Sequence, residues 1–186
     1  MQERRNRCAL TDRALGETMP DTQQEPRTGA RSLLVLLGFA LAVAAAAAIG
    51  GVASSTAGDV YGQLEQPGWA PPSWLFSPVW TVLYVLIAVA GWLVWRRAGW
   101  SGARVAMTLF LVQLVLNAAW PPLFFAAEMR LAAFIEIIVL LAVITAMIAA
   151  FARISRTAAV LMAPYWVWVA YASALNFSLW QLNPGG

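Results

Sequence analysis

The chain has 186 residues, of which 61% are hydrophobic and 11% are charged, and its formal net charge is +3. A water-soluble domain of this length cannot bury so much apolar surface, so the composition indicates an integral membrane protein. Histidine is absent and Cys8 is the only cysteine. This excludes a histidine-ligated haem or zinc site, a cysteine metal cluster and an intrachain disulfide, and we expect no obligatory cofactor. The small positive charge gives no support for nucleic-acid binding.

Residues 1–31 are predicted to form a disordered polar tail. They hold six arginines and five acidic residues and show no periodic apolar pattern, which is typical of segments that cannot build a core. The apolar stretch after Arg31 is too long for a secretory signal and lacks a convincing cleavage site. Met19 is a second candidate start of the chain. We therefore expect the membrane domain at residues 32–183.

Five apolar segments follow, each close to the roughly 20 residues that a helix needs to cross a bilayer. Short connections after the second, third and fourth segments make neighbouring helices antiparallel. The sequence thus predicts an all-α integral membrane protein built as an up-down bundle of five transmembrane helices. We place the helices at about 32–53, 76–95, 103–125, 130–152 and 157–180.

The distribution of arginine predicts the orientation of this bundle. Seven arginines flank the spans on one side of the membrane, whereas Arg130 lies alone on the opposite side. The positive-inside rule therefore places the N-terminus in the cytoplasm and the C-terminus outside, and helical spans are typical of a plasma-membrane protein. The arginines of the larger group are Arg27, Arg31, Arg96, Arg97, Arg104, Arg153 and Arg156.

The connection between the first two helices, which we call the first connector, covers about residues 54–75 and is the longest. From Pro67 to Tyr84 the chain reads PGWAPPSWLFSPVWTVLY, which leads from this connector into the second helix. The prolines stiffen the segment and remove backbone donors, and each tryptophan supplies a large ring with one polar N–H. Because long loops in compact proteins often act as lids or binding loops, we expect this segment to form one wall of a binding site.

Polar and aromatic side chains recur at spacings of three and four residues, which places each group on one helix face. For these side chains two interpretations stay open, contacts between packed helices and contacts with a ligand. Glu136, an acid well inside a span, either faces a polar cavity or stays wet near the interface. The groups are Trp80 and Tyr84 on the second helix, Gln113, Asn117, Trp120 and Phe124 on the third, and Tyr165, Trp168, Ala172 and Asn176 on the fifth.

In an up-down bundle these faces meet beneath the first connector, which adds Tyr61 and Trp69. An aromatic cavity with a few amides is a reasonable site for a flat, apolar ligand. The sequence shows no Ser/His/Asp arrangement, no phosphate-binding loop and no carboxylate cluster for a metal. Gly102 and Ala106 form a weak small-xxx-small motif for helix association.

Three stretches resemble the tryptophan-rich sensory protein family, also called the translocator protein or peripheral-type benzodiazepine receptor (TspO/MBR) family. They are PGWAPPSWLFSPVWTVLY at 67–84, QLVLNAAWPPLFF at 113–125 and PYWVWVAYASALN at 164–176. The resemblance implies a five-helix bundle, commonly a homodimer, that binds porphyrins and other tetrapyrroles, and in some members sterols or drug-like ligands. The positions that match the family's pocket are Tyr61, Trp80, Tyr84, Gln113, Asn117, Trp120, Trp168 and Ala172.

The resemblance leads to one main functional hypothesis, a membrane receptor or sensor that binds porphyrins or related tetrapyrroles and regulates their level or a stress response. Phe124 joins the pocket because it shares the helix face of Asn117. No lysine or arginine follows Tyr171, so the sterol pattern is missing from the last helix and a porphyrin-type ligand is favoured. The alternatives are a transporter of tetrapyrroles or lipid-like ligands and a light-dependent porphyrin-degrading enzyme. In family terms, Trp80 and Trp168 match the tryptophans associated with that breakdown and would be the catalytic residues.

Overall fold

The computed structural model describes residues 29–53 and 57–184, and every regular element in these ranges is helical. Five helical stretches are long and apolar enough to cross a membrane, which confirms the predicted all-α class and the number of spans. The elements are α1 (Gly29–Ala53), α2 (Ala57–Gln63), a 3-10 turn (Ser73–Leu75), α3 (Phe76–Gly102), α4 (Arg104–Pro121), a π-helical turn (Pro122–Ala126), α5 (Arg130–Ala152), α6 (Arg156–Leu161) and α7 (Ala163–Leu182).

The first span begins earlier than the composition suggested. Helix α1 starts at Gly29, so residues 29–31 belong to the helix and not to the polar tail. The rest of the predicted tail, residues 1–28, lies outside the described residues. Within a bilayer every backbone N–H and C=O must be paired inside the chain. A helix therefore continues through any residue that it can accommodate and is not limited to the apolar stretch.

The second span extends beyond its predicted end near residue 95, because α3 continues to Gly102. The predicted connection at 96–102 is therefore helical, with a kink at Gly99, where φ is 66° and ψ is −175°. Residues other than glycine rarely adopt this backbone conformation, because their Cβ atom would clash with the backbone. The kink turns the chain so that Ala103 links α3 to α4.

Two consecutive prolines shape the end of the third span. Neither Pro121 nor Pro122 has a backbone N–H, so the α-helical hydrogen bonds cannot continue through them. The next turn widens, and the N–H of Ala127 donates to the carbonyl of Pro122, five residues back, at 2.9 Å. Glu128 then adopts a positive φ of 53° and the chain reverses into α5. The two prolines thus convert the end of this span into a widened turn.

The bundle is tightly packed on one side and open on the other. Helix α4 packs against α1 and α5, and α5 packs against α7. A Cβ atom added at Gly91 of α3 would lie 2.7 Å from the ring of Phe110 and 2.9 Å from that of Phe39, so only glycine fits where α1, α3 and α4 meet. By contrast, α3 packs closely against α6 but only weakly against α7. A space therefore opens between α3 and α7 on the side of the first connector.

Candidate functional site

Hydrogen bonds hold the described part of the first connector, residues 57–75, together internally and fix it to the end of the last span. The hydroxyl of Tyr61 donates to the carbonyl of Pro71 at 3.0 Å. Two hydrogen bonds join the backbone of Glu65 to the side-chain amide of Asn183. The N–H of Glu65 donates to Asn183 Oδ1, and Asn183 Nδ2 donates to the carbonyl of Glu65, both at 3.0 Å. Burial, with a smaller contribution from the hydroxyl of Tyr171, raises the pKa of Tyr61 to about 12. Tyr61 therefore stays a hydrogen-bond donor throughout the neutral range.

A second contact joins this connector to the last helix. The hydroxyl of Tyr171 on α7 donates to the carbonyl of Trp69 at 3.0 Å, and the two rings meet edge to face with centroids 5.6 Å apart. The connector thus covers the ends of α3 and α7 and shields the helix interior from the water on that side.

Beneath the connector lies a small aromatic cavity, which we call the inner pocket. Trp120 stacks on Phe124 with ring centroids 4.9 Å apart and planes 20° apart. The cavity volume is only about 20 Å³, far below the roughly 300 to 1,000 Å³ of ligand pockets. In this conformation the inner pocket is closed. Four of the sequence-predicted site residues line it: Tyr61, Trp120, Phe124 and Ala172.

Deeper in the bundle, a chain of buried hydrogen bonds connects α3, α4 and α7. The hydroxyl of Tyr84 donates to Asn117 Oδ1 at 3.0 Å. Asn117 Nδ2 donates to the hydroxyl of Tyr165 at 3.1 Å, and this hydroxyl donates to Gln113 Oε1 at 3.0 Å. Three predicted site residues thus make interhelical bonds here. These contacts are those of the packing interpretation. The Nε2 atom of Gln113 is buried and has no hydrogen-bond partner in residues 29–53 and 57–184.

The two predicted catalytic tryptophans belong to different ring groups. The ring of Trp80 lies 5.2 Å from that of Tyr84 and 6.2 Å from that of Tyr165, beside the hydrogen-bond chain. The ring of Trp168 lies 5.8 Å from that of Phe76 and 5.7 Å from that of Tyr171. Neither indole is among the residues that line the inner pocket.

A second, much larger cavity is a cleft between α3 and α7, with a volume of about 1010 Å³. Its lining is almost entirely apolar and includes Pro71 and Trp74 from the connector, Val82 from α3 and Val167 from α7. Trp168 is the one predicted site residue that lines it. Most of this lining comes from the segment at 67–84, which is predicted from the sequence to form one wall of a binding site. The sequence did not indicate the opposite wall on α7, because a residue such as Val167 on a membrane helix looks like an ordinary lipid-facing residue.

The inner pocket also includes Asn176, which the sequence places on the same helix face as Trp168 and Ala172 but which is not among the positions matching the family's pocket. Asn176 accepts a bond from Trp120 Nε1 at 3.1 Å and donates to the carbonyl of Arg130 at 3.1 Å. The spacing of four residues from Ala172 had already placed Asn176 on this face. The other additional lining residues are Phe76, Phe125, Leu175 and Leu179.

The carboxyl oxygens of Glu136 are buried. Neither oxygen is accessible or has a hydrogen-bond partner among the residues that the structure describes. The sequence left open a polar cavity or partner and a wet position near the interface, and the described residues show neither a hydrogen-bond partner nor accessible carboxyl oxygens.

Comparison with known proteins identifies the group to which this architecture belongs. The sequence profile of the TspO/MBR family matches residues 38–181. The chain is 39% identical over 160 residues to the tryptophan-rich protein TspO of Chlorobaculum tepidum, covering 82% of this chain and 96% of that protein. It is 36% identical over 127 residues to the translocator protein of Homo sapiens, covering 67% and 75%. It is 34% identical over 123 residues to the tryptophan-rich sensory protein of Cereibacter sphaeroides, covering 66% and 76%. With five apolar spans and a match over most of its length, the chain belongs to the TspO/MBR family of integral membrane proteins.

Proposed function

We propose that this protein is a membrane receptor or sensor that binds porphyrins or related tetrapyrroles and regulates their level or a stress response. A sensory role is supported by family membership and by relatives named tryptophan-rich sensory protein. The observation that carries the ligand class is the inner pocket, where a stacked Trp120–Phe124 pair lies beneath a connector fixed by hydrogen bonds. Parallel rings offer a flat surface on which a planar macrocycle can stack.

Binding requires the inner pocket to open, since a cavity of about 20 Å³ cannot hold a tetrapyrrole. The aromatic side chains around it are joined mainly by ring contacts, which depend on area and not on a single geometry. Rings of this kind can separate and repack on an inserted macrocycle. The ligand then replaces ring-to-ring contacts with ring-to-ligand contacts.

Trp168 supplies a second argument for a ligand with polar groups at its edge. The Nε1 atom of Trp168 is buried and has no hydrogen-bond partner among the described residues. A buried donor without an acceptor costs roughly 1 to 3 kcal/mol. An acceptor on the ligand, such as a carboxylate or carbonyl oxygen, would recover that cost. Trp168 is therefore proposed as both a ring contact and a donor.

The test is a titration of the purified protein in nanodiscs with protoporphyrin IX, followed by porphyrin absorbance and tryptophan fluorescence. Trp168→Ala removes a ring and a donor, and we expect binding at least roughly tenfold weaker, since ~1.4 kcal/mol corresponds to a factor of ten. Ala172→Phe fills the inner pocket and should weaken binding as strongly. The matched controls are Trp166→Ala and Ala174→Phe, whose side chains are exposed on the same helix. Equal affinity in all four variants would refute this site.

The enzymatic alternative is tested in the same experiment under illumination. Light-dependent turnover of porphyrin that is lost in Trp80→Phe and Trp168→Phe would indicate catalysis. Neither the cleft nor the inner pocket is lined by both tryptophans, and no feature of the described residues favours transport. Binding without turnover is the expected result.

Orientation, membrane and assembly are part of the proposal. We propose a plasma-membrane protein with a cytoplasmic N-terminus, because the described arginines other than Arg130 lie at the end of the bundle away from the first connector. A homodimer is proposed on family resemblance alone. The Gly102–Ala106 motif does not supply its interface, because Ala106 is buried within the monomer.

A further inference from the structure

We propose that the cleft between α3 and α7 is a lateral entrance from the bilayer to the inner pocket, and that the ring contact between Phe76 and Trp168 is its gate. The occupant is the flat apolar ligand of the proposed function, on which this inference rests, arriving dissolved in lipid and not from water.

The cleft faces the bilayer and not the interior of the protein. Val82 on α3 and Val167 on α7 line it, and their side chains are 59% and 60% exposed. Both residues lie inside spans, so what contacts them in a membrane is hydrocarbon. The opening results from the packing of α3, which is close to α6 but weak to α7. A hydrophobic molecule in the bilayer can therefore enter this space without crossing a polar layer.

The cleft and the inner pocket share a single aromatic partition. Trp168 lines the cleft and Phe76 lines the inner pocket. Their rings meet edge to face with centroids 5.8 Å apart and planes 74° apart. Rotation of either ring would join the two cavities. The unpartnered Nε1 atom of Trp168 means that no hydrogen bond of this indole has to break when it turns.

The route from water is closed more firmly than the route from lipid. Three hydrogen bonds tie the connector to the end of the bundle, two between Glu65 and Asn183 and one from Tyr171 to Trp69. Entrance from the aqueous side requires these bonds to break, whereas the lateral route separates one ring pair. A ligand that partitions into lipid also reaches a higher local concentration at the cleft than at the connector.

The first experiment measures association and dissociation rates of protoporphyrin IX by stopped flow with the protein in nanodiscs. Val82→Trp and Val167→Trp each narrow the cleft mouth with a side chain that lipid tolerates. Both rates should fall by on the order of tenfold, about 1.4 kcal/mol of added barrier, while their ratio changes far less. The control is Val115→Trp, the same change at a residue that is 69% exposed on α4. Rates equal to those of the control in both variants would overturn the lateral route.

The second experiment needs no porphyrin and uses phospholipid with brominated acyl chains. Bromine quenches indole fluorescence on contact, and the contribution of Trp168 is the difference from Trp168→Phe. We expect strong quenching of this contribution, reduced in Val167→Trp but unchanged in Val115→Trp. An unquenched Trp168 would show that the cleft is shut to lipid or covered by another chain, and would overturn the inference. Absence of any porphyrin binding would overturn the proposed function and the route with it, whereas saturable binding at rates insensitive to the cleft overturns the route alone.

Discussion

The hydroxyl group of Tyr165 is the centre of the buried hydrogen-bond chain, so its removal tests what that chain does. Tyr165 is fully buried, and its hydroxyl accepts from Asn117 Nδ2 at 3.1 Å and donates to Gln113 Oε1 at 3.0 Å. Tyr165→Phe keeps the ring and its packing but leaves both amide atoms without that partner. The perturbation is thus confined to two hydrogen bonds between α7 and α4.

The expected loss follows from the value of such bonds inside a membrane. Interhelical hydrogen bonds in bilayers average about 0.6 kcal/mol and reach about 1.7 kcal/mol. Loss of two bonds therefore lowers the free energy of unfolding by about 1 kcal/mol at the average value and about 3 kcal/mol at the upper one. Tyr84→Phe removes only the single bond to Asn117, at a half-buried position, and should cost about 0.6 kcal/mol.

The assay is a titration with sodium dodecyl sulfate in mixed micelles, with helical circular dichroism as the signal. Tyr165→Phe should unfold at a clearly lower fraction of the denaturing detergent than Tyr84→Phe. If the two variants unfold together, the geometry of this chain does not determine stability and the reasoning fails. The same proteins also decide between the two interpretations of Asn117 and Gln113. Folded Tyr165→Phe should bind protoporphyrin IX as the unaltered protein does, and a tenfold loss would instead place these amides against the ligand.

Two further predictions concern packing and the connector. Gly91→Ala places a Cβ atom 2.7 Å from the ring of Phe110 and should lower the free energy of unfolding by about 1 to 3 kcal/mol, measured in the same detergent titration. Gly38→Ala meets nothing within 4 Å, so equal losses in both would contradict the packing argument. Tyr61 has a pKa of about 12 in the folded protein against about 10 when exposed, so the unfolded chain releases this proton first. The free energy of unfolding should not depend on Tyr61 below about pH 10, and it should fall between about pH 10 and about pH 12. Tyr61→Phe should remove this part of the fall, and it should also remove one late-titrating phenol from the tyrosinate absorbance. An absorbance titration identical to that of the unaltered protein would contradict the prediction.

The open cleft and the closed pocket give the proposed function a definite order of events. A ligand first occupies a space of about 1010 Å³ and then a site that must expand from about 20 Å³. Trp168 takes part in both steps, since it lines the cleft and contacts Phe76 of the inner pocket. Variants of Trp168 are therefore expected to change both rates and affinity, whereas variants at the cleft mouth change rates.

The number of spans and their antiparallel order could be predicted from the sequence because a bilayer allows few alternatives. A stretch of about 20 apolar residues must pair its own backbone groups, and in a helix it does so locally. The ends of the helices could not be predicted in this way, because they depend on individual glycine and proline residues. Gly99 permits a kink inside a continuous helix, and Pro121 with Pro122 turns an α-helical end into a π turn. Apolar content does not report either backbone conformation.

The sequence by itself determined which faces carry amides and rings, since spacing on a helix is a local property. It also placed Tyr61, Trp120, Phe124 and Ala172 in one group, and these four do line the inner pocket. Only the tertiary structure decided that the pocket is closed and that Gln113 and Asn117 bond to Tyr165. Only the structure showed the cleft, because it arises from the weak packing of α3 against α7. Cavities are the spaces left between helices, so they depend on crossing and separation, which no single helix encodes.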